Sequence, residues 1–348
     1  MSRIVFLCLV VSILATAGTV VYVYGKPPAP VAAQAGGAAV TDGRLSGTYD
    51  GERGRNGLAH GYGTAQGDAR YEGEFQDGEM SGVGRWTGPN GEIIEGEFRD
   101  NRPNGRVFIR RPSGASYEGD VRDGVPEGQG IDVSQDGDVH QGLFSRGVPN
   151  GAGVLTEHSG ARYEGDWTDG QRSGRGLQVW PDGQRYEGDW KNDQRDGEGF
   201  ESRPSGERYQ GGWQANAYHG HGLYTYSGGS TIEGEWVNGE ISGPATIRTA
   251  GGNRYDGEVR DRMPHGYGVL SAADGSRFEG EFAQGRRNGL GIFVRADGVR
   301  VEGRWVAGLA DGPCVIICPD GETVKGLWKD GALVEGQSAS CLKEAPLR

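Results

Sequence analysis

The strongest constraint on how this chain folds is an internal period of 23 residues. YEGEF begins at Tyr71, IEGEF at Ile94, YEGDV at Tyr117 and HQGLF at His140. The series continues in the same register at Tyr163, Tyr186, Tyr209, Ile232, Tyr255, Phe278, Val301 and Val324. Residues 71–323 are therefore eleven unbroken units, preceded by a degenerate one from Tyr49 and followed by a half unit ending near Glu335. A unit this short cannot enclose a core alone, so burial has to come from stacking units on one another.

Counting each unit from its opening residue, glycine fills position 3 in all twelve starts, from Gly73 to Gly326, between Tyr at position 1 and Trp or Phe at position 5. Positions 1, 3 and 5 of an extended strand share one face, so this glycine leaves room for rings to lie over bare backbone. Position 8 is glycine in eight units and Asn101, Asp193 or Asn216 in three more, residues that tolerate positive φ and so mark a hairpin tip. Arg262 is the one poor fit there. Positions 12 and 21 are glycine in every full unit, and position 21 closes a second turn such as Pro181-Asp182-Gly183. Between the turns, positions 15 and 17 hold apolar residues such as Leu177 and Val179, or Val315 and Ile317. Each unit reads strand, turn, strand, turn. The fold class that follows is all-β: an elongated, single-layer antiparallel sheet of stacked hairpins.

This register resembles the MORN repeat, named for membrane occupation and recognition. The motif positions are Tyr-Glu-Gly-Glu/Asp-Trp, then Asn/Asp-Gly, Gly-x-Gly and Pro-Asp-Gly, and they cover roughly residues 49–335. The resemblance implies a twisted array of β-hairpins serving interaction, dimerisation or membrane apposition. MORN repeats also stand beside catalytic domains, among them plant phosphatidylinositol-phosphate kinases and a histone methyltransferase. The sequence shows no such second domain, so none of those activities is carried over.

Composition points the same way. Glycine supplies 67 of 348 residues and hydrophobic residues only 34%, too few for the interior of a large single-core enzyme. A net charge of −12 argues against nucleic acid as a partner, since tracking phosphates needs an excess of Lys and Arg. No Ser/His/Asp arrangement and no phosphate loop is present. His60, His219 and His265 all occupy position 11, too far apart to converge on a metal, and read as turn residues. The expectation is a non-enzymatic protein with no cofactor and no metal.

The ends carry different signals. Ile4 to Gly25 is free of charge and long enough, at about 33 Å as a helix, to cross a bilayer. Residues 1–25 are thus a signal-anchor transmembrane helix, or a signal peptide cleaved after Ala15-Thr16-Ala17. Residues 26–47 read as a Pro/Ala/Gly linker, 48–335 as the array and 336–348 as a C-terminal tail. Either reading of the first segment exports the array, to the periplasm or the cell exterior, membrane-anchored or secreted if cleaved.

Opposite the aromatic face, positions 2 and 4 are acidic in 17 of 24 places, and the residue before position 1 is often Arg, as in Arg70, Arg162 and Arg185. An open ladder of carboxylates about 10 Å apart suits a solvated face better than paired acid–base catalysis. One unit departs from this pattern. Residues 209–231 contain no charge and hold Tyr209, Trp213, Tyr218, Tyr224 and Tyr226, a candidate partner-binding patch. Tyr224 and Tyr226, counted along the chain, have the parity of the polar face and are expected to be exposed. Near the end, Cys341 is placed to form a disulfide with Cys314 or Cys318, stapling the last repeat.

The function these features imply is a membrane-tethered repeat scaffold that binds a protein partner or itself. The alternative is a phospholipid-binding surface, as the family name invites. The array's share of the charge, −15 once the +2 of residues 1–47 and the +1 of 336–348 are set aside, opposes an anionic leaflet.

Overall fold

The computed structural model describes residues 40–342. They form one open antiparallel sheet of 26 strands, with a single 3₁₀ turn at Gly43–Leu45 before the first. Each strand pairs with its neighbours in sequence, so the sheet grows by one hairpin after another, as at Arg162–Thr168, Gln171–Val179 and Arg185–Lys191. At ~4.8 Å per strand the stack extends roughly 120 Å.

Unit 209–231 shows how a repeat is built. Strand Arg208–Gln214 turns at Ala215 and Asn216 into strand Ala217–Thr225. Both turn residues have positive φ, +47° and +71°, the signature of a two-residue type I′ loop. The second turn runs through Tyr226, whose N–H bonds Ser230 O, and closes with Gly229 at φ +85° donating to Tyr226 O. Every position 8 adopts the left-handed conformation, Arg262 included at φ +62°.

The two-residue loop corrects one sequence expectation. It pairs odd positions of the first strand with even positions of the second: Tyr209 faces Tyr224, Gly211 faces Gly222 and Trp213 faces Tyr218. Positions 10, 14 and 16 therefore join the aromatic face, while 15 and 17 turn outward. Gln178 and Ile316 are buried, whereas Leu177, Val179, Val315 and Ile317 are only partly covered. Tyr224, expected on the outside, is 3% exposed, and Tyr226 is half-buried.

Burial without a second layer comes from rings interlocking along one face. Tyr163 meets Trp167 of its own unit and Trp190 of the next edge-on, at 5.3 and 5.4 Å between centroids. Tyr186 repeats this with Trp190 and Trp213, and Tyr209 with Trp213 and Trp236. Each edge-to-face pair adds ~0.5–1.5 kcal/mol beyond its buried area. The tyrosine ring lies over the glycine at position 14, and its hydroxyl donates to the carbonyl of position 4, as Tyr163 does to Asp166 O at 3.1 Å.

Neighbouring units are also bonded at their tips. Gly124 N–H donates to Pro103 O, Gly239 to Tyr218 O and Gly308 to Arg287 O, each within 2.9 Å. On the outer face, the second strand swells around Gly174 or Gly197, both at positive φ, leaving space for the position 4 carboxylate. Asp189 there accepts the backbone N–H of Glu198 at 2.9 Å. Part of the acidic ladder is thus structural.

Both ends of the described sheet are covered, which revises the expected linker and tail. Residues 40–47 pack onto the first hairpins: Leu45 is buried with Ala59, Ala65 and Tyr71, and Thr41 N–H bonds Gly78 O at 2.9 Å. At the other end Ala339 is buried, and Cys341 is joined to Cys318 with their Cα atoms 5.8 Å apart. These cysteines occupy equivalent positions in consecutive units. Cys314 is buried and free. The segment 1–25 and the linker up to residue 39 lie outside the described residues, among which no helix is long and apolar enough to cross a membrane.

Candidate interaction site on the aromatic face

Of the five aromatic residues singled out in unit 209–231, four are structural. Tyr209, Trp213, Tyr218 and Tyr224 are all at most 9% exposed and belong to the continuous core. Tyr218 stacks on Tyr209 at 3.8 Å and meets Trp213 and Trp236 edge-on. Only Tyr226 reaches the surface in part. The uncharged unit is therefore a thickening of the ring ladder, and the chemistry lies beside it.

Once the second strand's parity is set correctly, a polar insert appears at positions 10, 16 and 18 of three consecutive units. The first contributes Arg172, Gln178 and Trp180, the second Arg195, Glu201 and Arg203, the third Tyr218, Tyr224 and Tyr226. Elsewhere position 16 holds Trp86, Ile109, Leu155 or Ile316; Asp132 is the other carboxylate there, but it is only partly buried, whereas Glu201 is fully so.

Glu201 is 3% exposed at its side chain, and three donors satisfy it. Arg195 Nη1 reaches Oε2 at 2.6 Å, Arg203 Nε reaches Oε1 at 2.8 Å and the Tyr218 hydroxyl donates to Oε1 at 3.2 Å. Burial, with the Glu201 charge beside it, pushes the Tyr218 hydroxyl well above the ordinary phenol range, so it remains a donor. A carboxylate held by three donors and closed off from solvent is out of reach of a substrate; it organises its neighbours.

The arginines tie one unit to the next. Arg172 lies 4.4 Å over the Trp190 ring and donates to Asp193 O at 3.2 Å; Arg195 lies 4.2 Å over Trp213 and donates to Asn216 O at 3.0 Å. Arg287 repeats the pattern over Trp305 at 4.4 Å with Gly308 O at 3.0 Å. Its unit has Phe293 where Glu201 would be, and burial lowers the Arg287 guanidinium to about 10. Such desolvated cation–ring contacts are worth ~2 kcal/mol.

Above this buried layer, Trp180, Arg203 and Tyr226 stand at position 18 of adjacent units, each partly exposed. They present ring, guanidinium and ring at ~10 Å intervals. Such a row can grip an extended chain by stacking and by hydrogen bonding, with Arg203 held in place by Glu201. Sequence reasoning missed this row because it follows from the hairpin parity; Arg195 and Glu201 together in one unit, at positions 10 and 16 where most units are apolar, were the available signal.

One set of potential metal ligands occurs among the described residues: Cys318, Asp320 and Glu322. The Cys318 sulfur is committed to Cys341, and Glu322 accepts the N–H of Ser340 at 2.9 Å, which leaves no credible donor set.

Comparison with known proteins agrees with the repeat pattern. The MORN repeat family matches twelve segments, from 55–67 and 71–93 through 209–231 to 302–323. No curated protein sequence matches the chain. Among solved structures, the TCP10 domain of Danio rerio CPAP aligns over 73% of this chain and 99% of that one, at 12% identity and a TM-score of 0.21. Virginiamycin B lyase from Staphylococcus aureus aligns over 72% and 86%, at 8% identity and a TM-score of 0.14. Scores that low support no argument about fold or activity. Twelve matched units spanning most of the sheet are another matter: the chain belongs to the MORN-repeat family.

Proposed function

We propose that this chain is a non-enzymatic scaffold, tethered to a membrane by its N-terminal segment, whose array outside the cytoplasm holds a protein partner along the aromatic face. The observation behind this reading is the row Trp180, Arg203 and Tyr226, half-open to solvent above a saturated Glu201 cluster. MORN arrays generally serve protein or lipid interactions, and this row is where the repeat pattern is most altered toward recognition chemistry. The Cys318–Cys341 bond supports an oxidising compartment. A net charge of −12 favours a protein partner over an anionic lipid surface.

The test is crosslinking in intact cells followed by recovery of the chain. Replacing Trp180, Arg203 and Tyr226 by alanine together should abolish recovery of the partner while leaving the array folded. Unchanged recovery would dismiss this face. Protease accessibility of the array in intact and permeabilised cells tests the placement, and flotation with anionic vesicles at physiological salt tests the lipid alternative.

A further inference from the structure

Three units carry arginine at position 10, and they differ in what that arginine finds at position 16. Arg172 Nη1 donates to the Gln178 side-chain oxygen at 2.9 Å, and Arg195 Nη1 to the Glu201 carboxylate at 2.6 Å. Arg287 has Phe293 there. The next unit does not make good the loss. Arg172 also bonds the Asp193 side chain across the joint, whereas Arg287 meets Gly308, which offers only its carbonyl, at 3.0 Å. Phe278, Phe293 and Trp305 surround the Arg287 guanidinium at 5.4, 4.9 and 4.4 Å, and it forms no ion pair among the described residues. A desolvated positive charge without a counter-ion is costly, and rings offset only part of that cost.

Unit 186–208 displays the missing partner. There the Glu201 carboxylate lies between Arg195 at position 10 and Arg203 at position 18, which reach it at 2.6 and 2.8 Å. Unit 278–300 keeps both arginines, as Arg287 and Arg295, and lacks only the acid between them. Arg295 is partly exposed and is committed at one nitrogen, Nη2 to Asp297 at 2.5 Å. The surroundings are also cleared. Position 18 of the flanking units holds Ala272 and Cys318 in place of Trp180 and Tyr226, and position 10 of the next unit holds Ala310 in place of Tyr218. Leu270 and Phe293, each partly exposed, leave an apolar floor beside the pair.

We propose that Arg287 and Arg295 form a binding site for a small organic monocarboxylate with an apolar body, whose carboxylate takes the place that Glu201 fills in its own unit. Guanidinium groups suit a planar carboxylate, which they meet with paired, charge-assisted hydrogen bonds. The body of the ligand then lies over Phe293 and Leu270 and shields the Arg287 contact from water. A phosphate dianion fits less well, because its stronger hydration is not replaced in so apolar a setting. The site stands four units, ~38 Å, beyond Glu201 on the same face. It goes beyond the scaffold reading and does not depend on it.

The test is saturation-transfer NMR on the full-length protein in mild detergent at neutral pH, with phenylacetate as the probe. The parent chain should transfer saturation to the phenylacetate ring, with a dissociation constant on the order of a millimolar for so small a ligand. Phenylacetamide, of the same shape but uncharged, should bind about tenfold more weakly, and inorganic phosphate should not displace the acid. Arg287→Met and Arg295→Met should each lower the affinity about tenfold. Phe293→Glu should set a carboxylate of the chain's own between the arginines and close the site to phenylacetate. Cooperative urea unfolding checks that each variant is folded, and Arg295→Met, at a partly exposed position, decides the matter if Arg287→Met is not. Absence of transfer in the parent chain overturns the proposal. So does equal binding of the amide, displacement by phosphate, or unchanged affinity in any of the folded variants. Preference for a glutamate-rich peptide over phenylacetate also overturns it, assigning the pair to a protein partner. None of these results touches partner binding at Trp180, Arg203 and Tyr226, so the two readings fail separately.

Discussion

The ring of Tyr163 lies flat on Gly176, the cross-strand partner of Gly165, so closely that a methyl group on Gly176 would overlap it. The same contact joins Tyr71 to Gly84, Tyr186 to Gly199 and Tyr255 to Gly268. Where position 14 carries a side chain, position 1 is smaller: Val107 goes with Ile94, Ala245 with Ile232 and Cys314 with Val301. Volume is exchanged within each unit across one pair of positions. Gly176→Ala alone should therefore destabilise the array by ~1–3 kcal/mol. Combined with Tyr163→Ile it should cost less than the sum of the two single changes, as measured by urea unfolding.

His140 occupies the tyrosine position of its unit, wedged edge-on against Phe144 and Trp167 at 5.3 and 4.7 Å. Burial lowers its pKa from the usual 6.5 to about 4, and its Nε2 has no partner. The unfolded chain takes up this proton more readily than the folded one. Stability should fall as pH drops from about 6.5 toward 4, with the histidine's contribution intact above that window. His140→Phe should remove that part of the acid sensitivity, read as the difference between parent and variant in denaturant midpoint against pH. His140→Tyr should add ~1 kcal/mol through a hydroxyl bond to the carbonyl of Leu143.

Glu201 holds two arginines and a tyrosine together in a desolvated place. Glu201→Leu should cost ~3–5 kcal/mol, because Arg195 is left buried and unpaired. Pairing it with Arg195→Met should recover most of the loss. A double-mutant cycle in urea separates the pair from its parts. A single loss below ~1 kcal/mol would show that the cluster is more hydrated than its burial implies.

The Cys318–Cys341 bond closes a loop across one repeat, a constraint worth about 3 kcal/mol in the chain-entropy account. In a repeat array that loss should stay local. Cys341→Ser should speed hydrogen exchange in strands Thr323–Lys329 and Ala332–Gly336, with Arg70–Gln76 unchanged.

Most of the architecture was legible because repetition within one chain displays each position many times. Gly73 to Gly326, the hairpin tips and the tyrosine starts fixed the strands, the turns and the family. What the sequence concealed was the face of the second strand. Two left-handed residues at the first turn, such as Ala215 and Asn216, shift the parity by one, and a count carried straight through the loop puts Tyr224 outside and Leu223 inside. The candidate site suffered from the same slip. Glu201, at an even position of its second strand, is turned inward by the same shift, with Tyr186 facing it across the hairpin.

Because nearly every joint between units reuses the same tip bond and most reuse the same ring contact, and because the two ends are sealed separately, length is a free variable of this design. Copying one interior block of 23 residues would lengthen the strip by ~10 Å and leave both seals as they are. A lineage could tune such a molecule as a ruler, setting the distance between what it grips and where it is rooted without redesigning either.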